Sequence, residues 1–145
     1  MENKNIFHER LTELMIEKGV NTVSLALALG VSDETVRRWK NGQRYILLSQ
    51  LVKLADYFQC SLDFLAGRSD EILDYPVKEM PAFYERLRGI MLEKGISRYK
   101  LVKDLPIYDS YFTNWKEGKS PNLLTLIVLA DYFDVTIDYL VGRDS

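Results

Sequence analysis

The chain has 145 residues, 47% of them apolar, and a formal net charge of −2 from 19 Lys and Arg against 21 Asp and Glu. That composition supports small packed cores and excludes a protein that grips nucleic acid through bulk positive charge, so any such surface must be a local patch. A single cysteine, Cys60, excludes an intramolecular disulfide, and the absence of an apolar leader or span after Met1 leads us to expect a cytoplasmic protein with no membrane contact.

In chain order, Ile6, Leu11, Leu14 and Met15 recur at helical spacing until Gly19, a residue suited to a helix stop. Asn21 is placed to cap a short helix holding Leu25, Ala26 and Leu29. Gly30 supplies a tight turn, and Ser32 caps a third helix from Asp33 to about Lys40 with Val36 and Trp39 turned inward. A loop from Gly42 to Ile46 leads to a fourth helix, about Leu47 to Phe58, and Ser61 opens a fifth that ends at Gly67.

The pattern then returns. Glu17-Lys18-Gly19 recurs as Glu93-Lys94-Gly95 and Trp39-Lys40-x-Gly42 as Trp115-Lys116-x-Gly118. Leu54-Ala-Asp-Tyr-Phe58 recurs as Leu129-Ala-Asp-Tyr-Phe133, and Gly67-Arg68 as Gly142-Arg143. Self-similarity over this length marks a duplicated folding unit. With no sustained period-two alternation, the expected fold class is all-α: two tandem five-helix domains, 1–68 and 80–145, joined by the polar linker 69–79.

The short helix, Gly turn and second helix, followed by the lines Val36-Arg-Arg-Trp-Lys-Asn-Gly42 and Ser61-Leu-Asp-Phe-Leu-Ala-Gly-Arg68, resemble the lambda-repressor-like (Cro/CI, XRE) helix-turn-helix family. The second repeat resembles it through Phe112-Thr-Asn-Trp-Lys-Glu-Gly118 and Leu129 to Arg143. The resemblance implies five-helix bundles and a sequence-specific DNA-binding transcriptional regulator, of repressor type, that docks helix 33–40 in the major groove of double-stranded DNA. By similarity, Asp33, Glu34 and Arg38 fall at base-reading positions, and Asn21, Thr22, Arg37, Lys40, Asn41 and Arg44 where backbone phosphates are held. Arg38 is the favoured reader, because a guanidinium offers two parallel donors to guanine O6 and N7. Asp33 and Glu34 have a plainer explanation too, since carboxylates in a first turn suit the helix dipole.

The second repeat departs from the pattern at Pro106, which replaces the turn glycine and pushes Leu105 out of helical geometry. Its helix 109–116 offers Ser110, Tyr111, Thr113 and Asn114 outward, with Asn114 aligned to Arg38. Between Ser97 and Lys119, Arg98, Lys100, Lys103, Lys116 and Lys119 outnumber three acids, so Arg98, Lys100, Lys116 and Lys119 join the DNA candidates. Tyr108 and Tyr111 suit a protein interface as well, and on them we base the expectation of a homodimer. The alternative is a protein-interaction regulator, antirepressor-like, in which one or both units no longer bind DNA. His8 and Cys60 stand apart, with no metal-ligand cluster or nucleophile and base; no enzyme activity, cofactor, metal or small-molecule ligand is expected.

Overall fold

The computed structural model describes residues 6–43 and 45–144. The chain divides into two compact units, Met1–Pro76 and Val77–Ser145. Unit 1 contains α1 (Ile6–Lys18), α2 (Thr22–Leu29), α3 (Asp33–Lys40), α4 (Leu48–Phe58) and α5 (Leu62–Ala66). Unit 2 contains α6 (Phe83–Lys94), α7 (Arg98–Asp104), α8 (Asp109–Lys116), α9 (Leu123–Phe133) and α10 (Ile137–Val141). No β-strand occurs among the described residues.

In unit 1 the starts and stops of α2 and α3 follow from local chemistry. Asn21 accepts from the Ser24 N–H at 2.8 Å while the Ser24 hydroxyl accepts from the Asn21 N–H, a reciprocal cap that fixes the start of α2. Gly30, at φ 73°, stops α2, and Val31 N–H returns to Ala26 O at 3.0 Å. Ser32 caps α3 through Thr35 N–H. The inward face of α3 is Val36 and Trp39, 0% and 3% exposed, against α1 and α2. The stripe of α1 is Phe7, Leu11, Leu14 and Met15. Phe7 rather than Ile6 occupies the innermost position, and Ile6 lies instead against Gly67, where any Cβ would collide with it.

In unit 2, α6 carries Phe83, Leu87, Ile90 and Met91 inward, and α8 packs on it through Phe112 and Trp115. Phe83 and Trp115 meet edge to face with centroids 5.2 Å apart. The step from α7 to α8 avoids a left-handed residue, as Pro106 requires. Leu105 is extended at φ −119°, ψ 157°, and Ile107 N–H donates back to Leu105 O at 2.8 Å.

Both units close head to tail by the same device. Arg10 of α1 donates to Phe64 O at 2.9 Å and Ser69 O at 3.0 Å and stacks on the Phe64 ring. Arg86 of α6 donates to Tyr139 O at 2.6 Å and stacks on Tyr139. The repeated Gly-Arg pairs do related work: Arg68 turns back to Asp63 at 2.7 Å and Arg143 to Asp138 at 2.9 Å, each across the glycine that ends the last helix. Burial differs, however. The Arg143–Asp138 side chains are each 1% exposed, against 19% and 9% for Arg68–Asp63.

Candidate nucleic-acid interface

The outer face of α3 is set by its inner one. With Val36 and Trp39 buried, helical spacing leaves Glu34, Arg37 and Arg38 exposed and Lys40 half-buried at the rim. Asn41 ends the helix, its N–H donating to Arg37 O at 2.9 Å, and Gly42 at φ 96° then turns the chain so that Gln43 N–H reaches Arg38 O at 3.1 Å. Asn21 and Thr22 sit at the N-terminus of α2, where free N–H groups and the helix dipole favour an anion. Arg44 lies outside the described residues.

The arginines are already engaged. Arg37 pairs with Asp33, and Arg38 donates to Glu34 Oε2 at 3.0 Å, both across one helical turn. The Lys40 ammonium makes no hydrogen bond or ion pair among the described residues. Beside Arg38 an open cleft of about 280 Å³ runs between α3, the following loop and the start of α4, lined by Thr35, Arg38, Trp39, Gln43, Tyr45 and Gln50. The cleft leaves no periodic trace in the amino-acid sequence, because its walls come from a loop. A large aromatic residue, Tyr45, three positions after Gly42 in a polar loop was the available signal, and it is 74% exposed.

The corresponding helix of unit 2 presents different chemistry. Ser110, Thr113 and Lys116 are exposed, Tyr111 and Asn114 half-buried, and Lys119 follows at the position that Gly118, at φ 96°, gives it. Two of the basic candidates are turned to internal partners. Arg98 donates from Nε to the Asp109 carboxylate at 2.8 Å and from NH2 to Asp109 O at 3.0 Å, with its guanidinium 4.7 Å from the Phe112 ring centroid. Lys100 donates to Asp104 at 2.8 Å, and the Tyr132 hydroxyl donates to the same carboxylate at 2.8 Å. The Lys100 hydrogen bond and then the Tyr132 one hold the Asp104 carboxyl below its ordinary pKa, while the bond to Asp104 raises those of Lys100 and Tyr132. Lys116 and Lys119 have no such partners among the described residues.

Tyr108 occupies the N-cap of α8, where it makes no capping bond, and its ring, 70% exposed, meets Tyr111 edge to face at 5.7 Å. Tyr111 in turn meets Trp115 at 5.9 Å, so the two tyrosines are the outer end of an aromatic row rooted in the core. No group of three His, Cys, Asp or Glu side chains suited to a metal ion, and no helix long and apolar enough to cross a membrane, occurs among the described residues.

Two short helices joined by a tight turn, repeated in tandem with a solvent-facing second helix, define a helix-turn-helix protein. The model of the Cro/C1-type HTH DNA-binding domain matches twice, at residues 10–71 and 86–144, and the chain belongs to that family. It is similar to an HTH-type transcriptional regulator of Haemophilus influenzae, with 32% identity over 124 residues, covering 81% of this chain and 50% of the relative. The chain thus spans about half the length of that curated relative. No solved structure gives a significant match.

Proposed function

We propose that the chain is a sequence-specific transcriptional regulator, acting as a repressor, in which unit 1 is the principal DNA reader. The observation that carries this reading is the outer side of α3, on which Arg37 and Arg38 are exposed and Lys40 stands at the rim. A helix of that kind enters the major groove, Arg38 reading a guanine and Lys40, Asn41, Asn21 and Thr22 holding phosphates. The matched family and the regulatory relative support the same reading.

In this proposal α8 reads less. Arg98 and Lys100 are held by Asp109 and Asp104, which leaves Ser110, Thr113, Asn114, Lys116 and Lys119 for DNA. Tyr108 and Tyr111 favour a second use, contact with a protein partner, and we assign them to a homodimer interface. Selection of bound genomic fragments followed by a salt titration tests the function. Arg38→Ala should relax preference at one base pair and cost about 1–3 kcal/mol of specific affinity, while Lys40→Ala should weaken all sequences alike and flatten the salt slope by about one unit. A wild-type chain that selects no fragment and shows no salt-dependent binding would leave the protein-interaction reading in its place. Sedimentation at micromolar concentration tests the dimer: a monomer both free and on DNA, protecting a site without two-fold symmetry, would remove it.

A further inference from the structure

The reading helix of unit 1 carries its own counter-charges. Asp33 and Glu34 each stand four residues before an arginine, the spacing at which side chains share a face, and both pairs are made. The Arg38–Glu34 side chains are 58% and 70% exposed, so their pairing adds little to stability. The helix dipole favours both the carboxylates of the first turn and the arginines of the last, but it does not require the two to share a face and pair. Unit 2 shows that the pairing is no requirement of the fold, because Ser110, Thr113 and Asn114 stand where Glu34, Arg37 and Arg38 stand in unit 1, and Asp109 is bound by Arg98 from α7.

The two carboxylates are also poorly placed to read bases themselves. Asp33 binds Arg37 through Oδ2, while its Oδ1 is enclosed without a hydrogen-bond partner. Glu34 has one oxygen on Arg38. A guanidinium has five donors, so an arginine held at one corner keeps a free edge for guanine O6 and N7. An unpaired exposed arginine, by contrast, is free to swing to any phosphate, and phosphate contact is blind to sequence.

We propose that Glu34 is a positioning residue that holds Arg38 toward the base edges and away from phosphates, and that Asp33 restrains Arg37 from gathering further phosphates, both trading non-specific affinity for sequence discrimination. The inference rests on the reading of α3 as the DNA-recognition helix. It assigns the acidic residues a role through the arginines and not through a base of their own.

The test compares affinity for the selected fragment with affinity for a random duplex, across salt, using the full chain. Glu34→Ala should tighten random-duplex binding about three- to tenfold and steepen its salt slope by about 0.9, as one more cation reaches a phosphate. The specific-to-random ratio should fall by a similar factor, and Glu34→Gln, which keeps the acceptor, should recover part of it. In an Arg38→Ala background Glu34→Ala should leave the ratio unchanged. Asp33→Asn, with an unchanged melt, should act the same way through Arg37. An altered preference at a separate base pair that survives the Arg38→Ala background would make Glu34 a base reader and overturn the proposal. An unchanged ratio in every background would reduce both carboxylates to dipole partners and overturn it as well. A wild-type chain that selects no fragment sinks the DNA reading and this inference together, whereas failure of the inference alone requires a wild type that selects.

Discussion

Unit 1 enters α3 through Gly30 at φ 73° and a Ser32 cap, whereas unit 2 makes the same step into α8 with extended Leu105, Pro106 and an uncapped Tyr108, spanned from outside by Arg98 on Asp109. The two solutions deliver helices of equal length with tryptophan at the same inward position. They differ in what is left over. In unit 1 the start of the helix is satisfied by backbone and serine, and its cations remain on the outer face. In unit 2 a cation from α7 and a carboxylate from α8 are consumed in holding the turn. A different turn sequence therefore alters the chemistry offered to a ligand while leaving the bundle intact.

The sharpest test of that separation lies in the closing ion pairs. Asp138→Ala should cost about 3–5 kcal/mol, because it leaves Arg143 charged in a site 1% exposed, and Asp63→Ala distinctly less, because Arg68 keeps access to water. Chemical denaturation followed through each unit's tryptophan, with Trp39 or Trp115 replaced by Phe to isolate the other, reads both; equal losses would mean that burial does not distinguish the units. Gly30→Ala should destabilise unit 1 by about 1–2 kcal/mol, purely through its positive φ, since a Cβ there meets nothing within 4 Å. The same measurement should then find that Tyr108→Ser stabilises unit 2 by about 0.5–2 kcal/mol by restoring the cap that unit 1 has, and a loss instead would show that the Tyr108–Tyr111 contact outweighs it.

The smallest effect is a pH limb confined to unit 2. Asp104 has a folded pKa below its ordinary 3.8, so its contribution is present above that value and lost as pH falls through the lowered one. Lys100 and Tyr132 have raised values, so theirs is present below 10.5 and 10.0 and lost as pH rises through the folded ones. Tyr132→Phe should shrink the loss on both sides. Ser24, Ala28 and Tyr57 hold the matching positions in unit 1, which should show no such limb from this source.

Most of the architecture was legible because its signals are local. A cap three residues from its acceptor, a glycine at a helix stop and an apolar stripe at helical spacing can each be read within a dozen residues, and the second copy repeats nearly all of them. Pro106 was equally plain, and so was its effect on Leu105. The clasp from Arg98 to Asp109, eleven residues apart, and that from Arg10 to Phe64, fifty-four apart, depend on which helices meet, and no pattern in the chain declares it. Two helix ends were read from apolar periodicity alone, and their stop geometry was silent: Gln59 and Asp134 take the left-handed conformation at φ 58° and 57° without a glycine to mark it. In α3 the pairs Asp33–Arg37 and Glu34–Arg38 were visible as spacing, but their charges point equally to solvation, to the dipole or to a base until the side chains are placed.

The arginine clasps between first and last helix have an evolutionary and practical corollary. Because Arg10 and Arg86 tie the beginning of each unit to its end, and the cramped glycine contacts of Gly67 with Ile6 and of Gly142 with Pro81 keep those ends side by side, the polypeptide enters and leaves each bundle at one place. Such a module can be copied, inserted into another protein or circularly permuted with only a short connection, since no internal strand of the path needs rerouting. Its neighbours in the chain are then free to vary, and one copy can drift toward a new partner while the other keeps its ancestral target.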